Sequence, residues 1–249
     1  MRVHLIFLTI LIGAGASECT LHTQTPLPTA DEVVATMRIR DGARETASGG
    51  YTGRREYVLE NHRFNKRAEM LVGITCDRNG EKRFEVISED GWKSADKRVL
   101  RPMVETELDS SRPQIRAKNR INSENYSFRM IQTSPIEGRM SYVIEAIPKR
   151  EDKSLFRGRI WVDTEDYALA RVEGAPAKNP SFWTKSVHFV QQYHKSGPFW
   201  FPVATTSITE ARIFGATTVD IHYFDYAPNS ASVPGLVGPV PTEAVYAKN

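Results

Sequence analysis

From Tyr51 onward the chain alternates apolar and polar residues with period two, in short runs parted by turns. That alternation constrains the fold more than any other feature. YTGRREYVLE, KRAEMLVGITC and EKRFEVISE read as three strands. Asp77-Arg78-Asn79-Gly80 separates the last two, and Asn-Gly is a strong hairpin turn signal. After Pro113 the strands resume as NYSFRMIQ, RMSYVIEAIP, LFRGRIWVD and YALARVEG. SVHFVQQYH, a turn at Lys195-Ser196-Gly197-Pro198, FWFPVATTSITEAR and TTVDIHYFDY complete the series. Within FRGRIWVDTEDYALARVEG, Phe156, Gly158, Ile160 and Val162 share one parity. Ala168, Ala170 and Val172 share another, with Asp163 to Asp166 as the polar break. About ten strands on short connections predict an antiparallel meander in an α+β, mainly β, domain. No repeat strong enough for a solenoid or propeller is present.

Two segments break the strand pattern. Thr29 is placed to cap a helix over ADEVVATMRIRD, with Asp31 and Glu32 in its first turn, where the helix dipole favours negative charge. Val33, Val34 and Met37 share one face, and the pattern fades near Asp41-Gly42. A second helix is expected between Asp96 and Ser111, with an apolar stripe of Leu100, Met103, Val104 and Leu108. Pro102 fits only a first turn, so that helix either starts near Arg101 or kinks. Because this helix interrupts a meander, it is expected to close over the open side of a curved sheet. A gap beneath it lined by Met, Val and aromatics would suit an acyl chain.

The first residues, MRVHLIFLTILIGAGASEC, have the layout of a secretory signal peptide: Arg2, an apolar run from Leu5 to Ile12, then small residues. Cleavage is expected after Ala16, and an uncleaved anchor is the competing reading. The expected organisation is a signal peptide at 1–16, a flexible lead-in at 17–29, one domain at 30–227 and a proline-rich tail at 228–249. Cys19 follows Glu18, which disfavours lipidation. An exported compartment permits a Cys19–Cys76 disulfide, with two free thiols as the alternative.

Composition excludes little else. Hydrophobic residues are 40% and charged residues 25%, as in a folded globular chain, and the net charge is +3, which does not demand a nucleic-acid partner. There is no G-x-S-x-G, no H-E-x-x-H and no phosphate-cradling glycine loop, and the carboxylates are scattered. His188, His194 and His222, beside Asp220, would bind zinc only if their strands adjoined, so no metal or cofactor is expected. Arg112, Arg116, Lys118 and Arg120 form a basic run suited to anionic headgroups or an acidic partner, or else a solvated loop.

Three stretches then form an ordered set: Gly158-Arg159-Ile160-Trp161-Val162-Asp163, Gly197-Pro198-Phe199-Trp200-Phe201-Pro202 and Tyr223-Phe224-Asp225-Tyr226. With the ADEVVATM helix, this set resembles the LolA-like superfamily over roughly residues 30 to 226. The resemblance implies a half-barrel of antiparallel strands wrapped around lid helices, and a role in carrying lipoproteins across the bacterial periplasm by shielding their acyl chains. Other members resemble envelope-stress regulators. It also implies a gating arginine, for which Arg38, Arg157 and Arg159 are the candidates. The sequence around 91–125 and the tail exceed a minimal carrier.

The expectation is therefore a periplasmic, non-enzymatic protein that binds lipid or lipoprotein acyl chains, with transient membrane contact. The cavity residues are expected to be Val33, Val34, Met37, Leu100, Met103, Val104, Leu108, Ile160, Val162, Phe189, Val219 and Ile221. The alternatives are an envelope regulatory or scaffold module that binds a protein partner, and an exported hydrolase.

Overall fold

The structure, a computed structural model, describes residues 27–213 and 215–229. The signal segment, Cys19 and most of the proline-rich tail lie outside those residues. Ten strands form one antiparallel sheet in the order β3-β2-β1-β10-β9-β8-β7-β6-β5-β4. They are β1 (Tyr51–Asn61), β2 (Lys66–Cys76), β3 (Lys82–Gly91), β4 (Tyr126–Ile136), β5 (Arg139–Pro148), β6 (Phe156–Asp163), β7 (Leu169–Pro176), β8 (Thr184–Ser196), β9 (Phe199–Ala211) and β10 (Gly215–Pro228). Every pairing is between sequence neighbours except β1 with β10, as the short connections predict.

The sheet is open, with β3 and β4 at its two edges. The chain between them therefore runs from one edge to the other. It does so through α2 (Lys93–Ala95), a π turn at Asp96–Leu100, α3 (Arg101–Ser111) and α4 (Pro113–Asn119). Flat, ten strands would be about 43 Å across at strand spacing. The helical segment would reach only about 40 Å if straight, and it breaks at Arg112, whose backbone is extended. Residues 120–125 complete this connection, which packs across one face of the curved sheet. Arg150, beyond β5, donates to the Lys118 carbonyl (2.7 Å) and to Asn125 (2.6 Å), fastening the end of α4 to the far side.

Gly158 of β6 faces Gly174 of β7. A Cβ on Gly158 would stand 2.0 Å from the Glu173 carbonyl oxygen, and one on Gly174 2.4 Å from that of Arg157. Only glycine admits this approach.

α1 (Ala30–Ser48) has the expected start. Thr29 accepts from the Glu32 N–H (3.3 Å), and the Glu32 carboxylate accepts from the Thr29 N–H (2.8 Å), a reciprocal capping box. The helix does not fade at Gly42 as expected; it continues to Gly49, a left-handed cap with φ +62°. Its second half is held from outside: Arg44 donates to the carbonyls of Asp166 (3.0 Å) and Tyr167 (3.0 Å) in the β6–β7 turn. That turn is rigid because Asp163, 1% exposed, takes both arms of Arg139 and the N–H groups of Glu165 and Asp166.

In the inserted segment α3 starts at Arg101 with Pro102 in its first turn, as expected; α2 and a π turn lead into it, and the Arg101 N–H bonds to the Asp96 carbonyl. One expectation changes. The basic run 112–120 folds as α4 rather than as a loop, with Pro113 at its start.

Adding a methyl group at two glycines should have opposite effects. Gly42 has nothing within 4 Å of a built Cβ, so Gly42→Ala should stabilise by about 1 kcal/mol. Gly158→Ala should destabilise by about 2 kcal/mol or more through the backbone clash. Urea denaturation midpoints of the two variants check both signs.

Candidate functional site

Cross-strand pairing places one row of side chains across the helix-covered face. It runs Met130, Ile144, Ile160, Val172, Gln191, Thr205, Ile221, Tyr57, Met70 from β4 to β2. The row is apolar at both flanks and polar at its centre, and the helices follow that pattern. α1 covers one flank: Val33, Val34 and Met37 pack on Tyr142, Ile144, Ile160, Val162 and Val172, with Phe189 and Tyr193 against them. The inserted segment covers the other: Leu100 and Val104 pack on Tyr57, Leu59, Met70, Val219 and Ile221, with Met103 against them.

The predicted cavity residues thus fall into two groups rather than one. Val33, Val34, Met37, Ile160, Val162 and Phe189 belong to the α1 side, and Leu100, Met103, Val104, Val219 and Ile221 to the α3 side. Leu108 joins neither cluster; it lines a shallow cleft of about 160 Å³ with Lys82, Ser111 and Arg112. Most of these side chains are buried against their own helix.

Between the two helical covers lie β8 and β9. Their single fully buried residue is Phe199. The floor there is half-buried and mixed. Tyr193 donates to Gln191 Oε1 (3.0 Å), Gln191 Nε2 reaches the Tyr223 hydroxyl (3.5 Å), and that hydroxyl meets Thr205 (2.9 Å). Phe189 flanks this chain of polar groups on one side. On the other, Phe201 and Tyr226 have ring centroids 5.3 Å apart, with Tyr51 5.3 Å from Tyr226. This trough sets aromatic rings on either side of a row of hydroxyl and amide groups.

The inserted segment is fastened to the sheet by Arg55 of β1. Arg55 is 2% exposed. Its Nη1 donates to Glu107 of α3 (2.5 Å), its Nε to the Tyr226 hydroxyl (2.9 Å), and its guanidinium stands 4.8 Å over the Tyr223 ring. Lys82 of β3 donates to the other Glu107 oxygen (2.5 Å). Burial pushes the Glu107 carboxyl up, but Lys82 and Arg55 outweigh it and hold the group at about 2. Arg55 shares inward parity with Tyr57 and Leu59, and a charged residue at an inward strand position was the signal that could have found it. The three arginines read from the sequence do not occupy this position. Arg157 and Arg159 are exposed on β6, and Arg38 pairs with Asp41 (3.7 Å).

Beside this ion pair, where α1 ends and β1 begins, opens a cleft of about 330 Å³. Arg116, Lys82, Cys76, Ser48 and Ser111 are among its lining residues. The Cys76 thiol donates weakly to the Asp77 carbonyl (3.6 Å), and burial pushes it up, away from the thiolate a nucleophile requires. The histidines stay apart: β9 lies between the strands of His188 and His222, His188 stands 3.6 Å from Glu173, and His194 3.0 Å from Glu137. Among the described residues, no group of three or more His, Cys, Asp or Glu side chains is placed to hold a metal. No helix among them is long and apolar enough to cross a membrane. The chemistry this arrangement offers is fastening and burial.

A family of unknown function (DUF5686) matches residues 120–228. No curated protein matches the sequence. Among solved structures the chain is similar to a DUF1329 family protein from Desulfovibrio piger ATCC 29098, at 10% identity and a TM-score of 0.44, over 83% of this chain and 96% of that one. It is similar to a putative outer membrane lipoprotein-sorting protein domain from Vibrio parahaemolyticus, at 14% identity and a TM-score of 0.42, over 82% and 95%. A LolA superfamily protein from Nitrosomonas europaea aligns at 11% identity and a TM-score of 0.35, over 82% and 95%. The superfamily that the strand motifs resemble is also named among these structures.

Proposed function

We propose that the chain is a non-enzymatic, exported carrier that shields the acyl chains of a lipid or lipoprotein, as outer-membrane lipoprotein sorting or transport requires. The observation that carries this reading is the trough: the two central strands of the helix-covered face stay half-buried while both flanks are sealed. Acyl chains entering there would displace α2–α4, and the Arg55–Glu107–Lys82 ion pair is the latch that returns them. Each methylene removed from water contributes about 0.8 kcal/mol, so a dozen give about 10 kcal/mol before ordering costs. The signal-like leader supports export to the periplasm.

A second reading is favoured by one observation. Val33, Met37, Leu100, Ile160 and Val162 are each at most 1% exposed, so both cores are already filled. That suits a regulatory or scaffold module which offers its surface to an envelope protein. The two readings separate on uptake of a fluorescent fatty acid. The carrier reading predicts saturable uptake, weakened by Phe189→Ser; a bare protein that takes up none would sink it.

The latch gives two further predictions. Breaking a buried ion pair costs about 3 kcal/mol, so Glu107→Gln should speed stopped-flow fatty-acid uptake by up to about 100-fold. An unchanged rate would mean that the ion pair does not gate the trough.

The second concerns pH. The folded-state carboxyl of Glu107 titrates at about 2, below the ordinary glutamate value of 4.5. Its contribution to stability is therefore complete above pH 4.5 and is lost as pH falls toward 2. The stability gap between the parent chain and Glu107→Gln should stay constant above that window and close within it. Denaturation midpoints measured across the acid range check the sign.

A further inference from the structure

The far end of the sheet carries an apolar tip that neither core uses. The β7–β8 loop, the β9–β10 turn and the β1–β2 turn meet there. Phe182 is 76% exposed, Trp183 54% and Ile213 49%. Their contacts make them one surface. The Phe182 and Trp183 rings meet edge to face at 5.5 Å. The Arg212 guanidinium stands 5.1 Å over the Phe182 ring, its Nε donates to the Phe182 carbonyl (3.2 Å) and its backbone N–H to the Trp183 carbonyl (2.9 Å). Arg63 donates from Nη1 to the Ile213 carbonyl (2.8 Å), which joins the third turn to the other two.

Backbone hydrogen bonds hold this tip in shape while its side chains face solvent. Large aromatic side chains are expensive to expose in a cluster and mark interaction surfaces. Here they stand on loop tips, with Arg63 and Arg212 beside them. Among the described residues neither arginine has a carboxylate partner, and each uses one donor on a carbonyl. The remaining N–H groups of a guanidinium match phosphate oxygens. Trp and Phe rings settle at the headgroup level of a bilayer, and nearby arginines draw the protein to anionic lipid.

We propose that this tip docks the protein on an anionic phospholipid surface, with Phe182, Trp183 and Ile213 entering the interface and Arg63 and Arg212 binding headgroup phosphates. The tip lies beyond the Asn61 end of β1, whereas the latch and its cleft lie toward the Tyr51 end, so a docked molecule keeps its latch in solution. The inference goes beyond the carrier reading and does not depend on it.

The test is co-sedimentation of the full exported chain with vesicles of phosphatidylethanolamine and phosphatidylglycerol, against phosphatidylcholine alone. Binding to the anionic vesicles is expected, weakening as salt rises. The double variant Phe182→Ser, Trp183→Ser should bind roughly tenfold more weakly or worse while keeping its melting temperature. Arg63→Gln with Arg212→Gln should erase the preference for anionic vesicles. Should a variant fail to fold, brominated lipid reads the same contact in the parent chain: it should quench part of the tryptophan emission, and Trp183→Phe should remove that part. No vesicle binding, no quenching, or equal binding by the double variant overturns the proposal. So does self-association in sedimentation velocity that depends on Phe182 and Trp183 without vesicle binding, which would make the tip a protein interface.

Discussion

A guanidinium sealed inside a sheet must find its counter-charge, and for Arg55 that charge comes from a different layer. Glu107 stands on α3, and Lys82 on β3 completes the triad. Removing these charges from water is costly, and a well-packed apolar set would hold α3 at least as firmly. What the triad adds is a defined register and reversibility. On this account the edge-to-edge connection lies where it does because Glu107 has one place to go. The Tyr226 hydroxyl and the Tyr223 ring keep Arg55 in position, so the last strand also depends on that interaction.

The two helical covers are anchored differently, and the difference bears on motion. α1 is fastened to the β6–β7 turn by Arg44 and seals an apolar core with Val33, Val34 and Met37. The inserted segment contains a π turn, changes direction at Arg112 and is joined to the sheet both by an apolar core around Leu100 and Val104 and by ionic groups: Glu107, and Arg101 with Glu89 (2.7 Å). Opening this cover exposes both ends of the Arg55–Glu107 pair to water together, so neither charge is left buried alone. If one cover moves, it is this one, and the mixed floor of Gln191, Tyr193 and Thr205 is the surface it would uncover.

Much of this was legible because it is local. Period-two alternation located the strands and Thr29 announced α1, while parity grouped Ile160 with Val162 without saying which face is covered. The failures are also physical. Gly42 lowers helix propensity but does not forbid helix, and the distant β6–β7 turn carries α1 past it. Arg112 to Arg120 read as a solvated loop because its charges are dense, yet Pro113 starts a helix and Arg116 turns into the cleft. Arg55 was hidden because its partner lies 52 residues away, on an element whose orientation only the folded sheet determines. The expected single cavity became two clusters for the same reason: periodicity gives a face, not what covers it.

Amide hydrogen exchange of the parent chain and of Glu107→Gln would test the latch most directly. Faster exchange across residues 93–119 is expected in the variant, with α1 and β4 to β7 unchanged. Equal protection of 93–119 in both proteins, or a uniform rise across the whole chain, would contradict the latch.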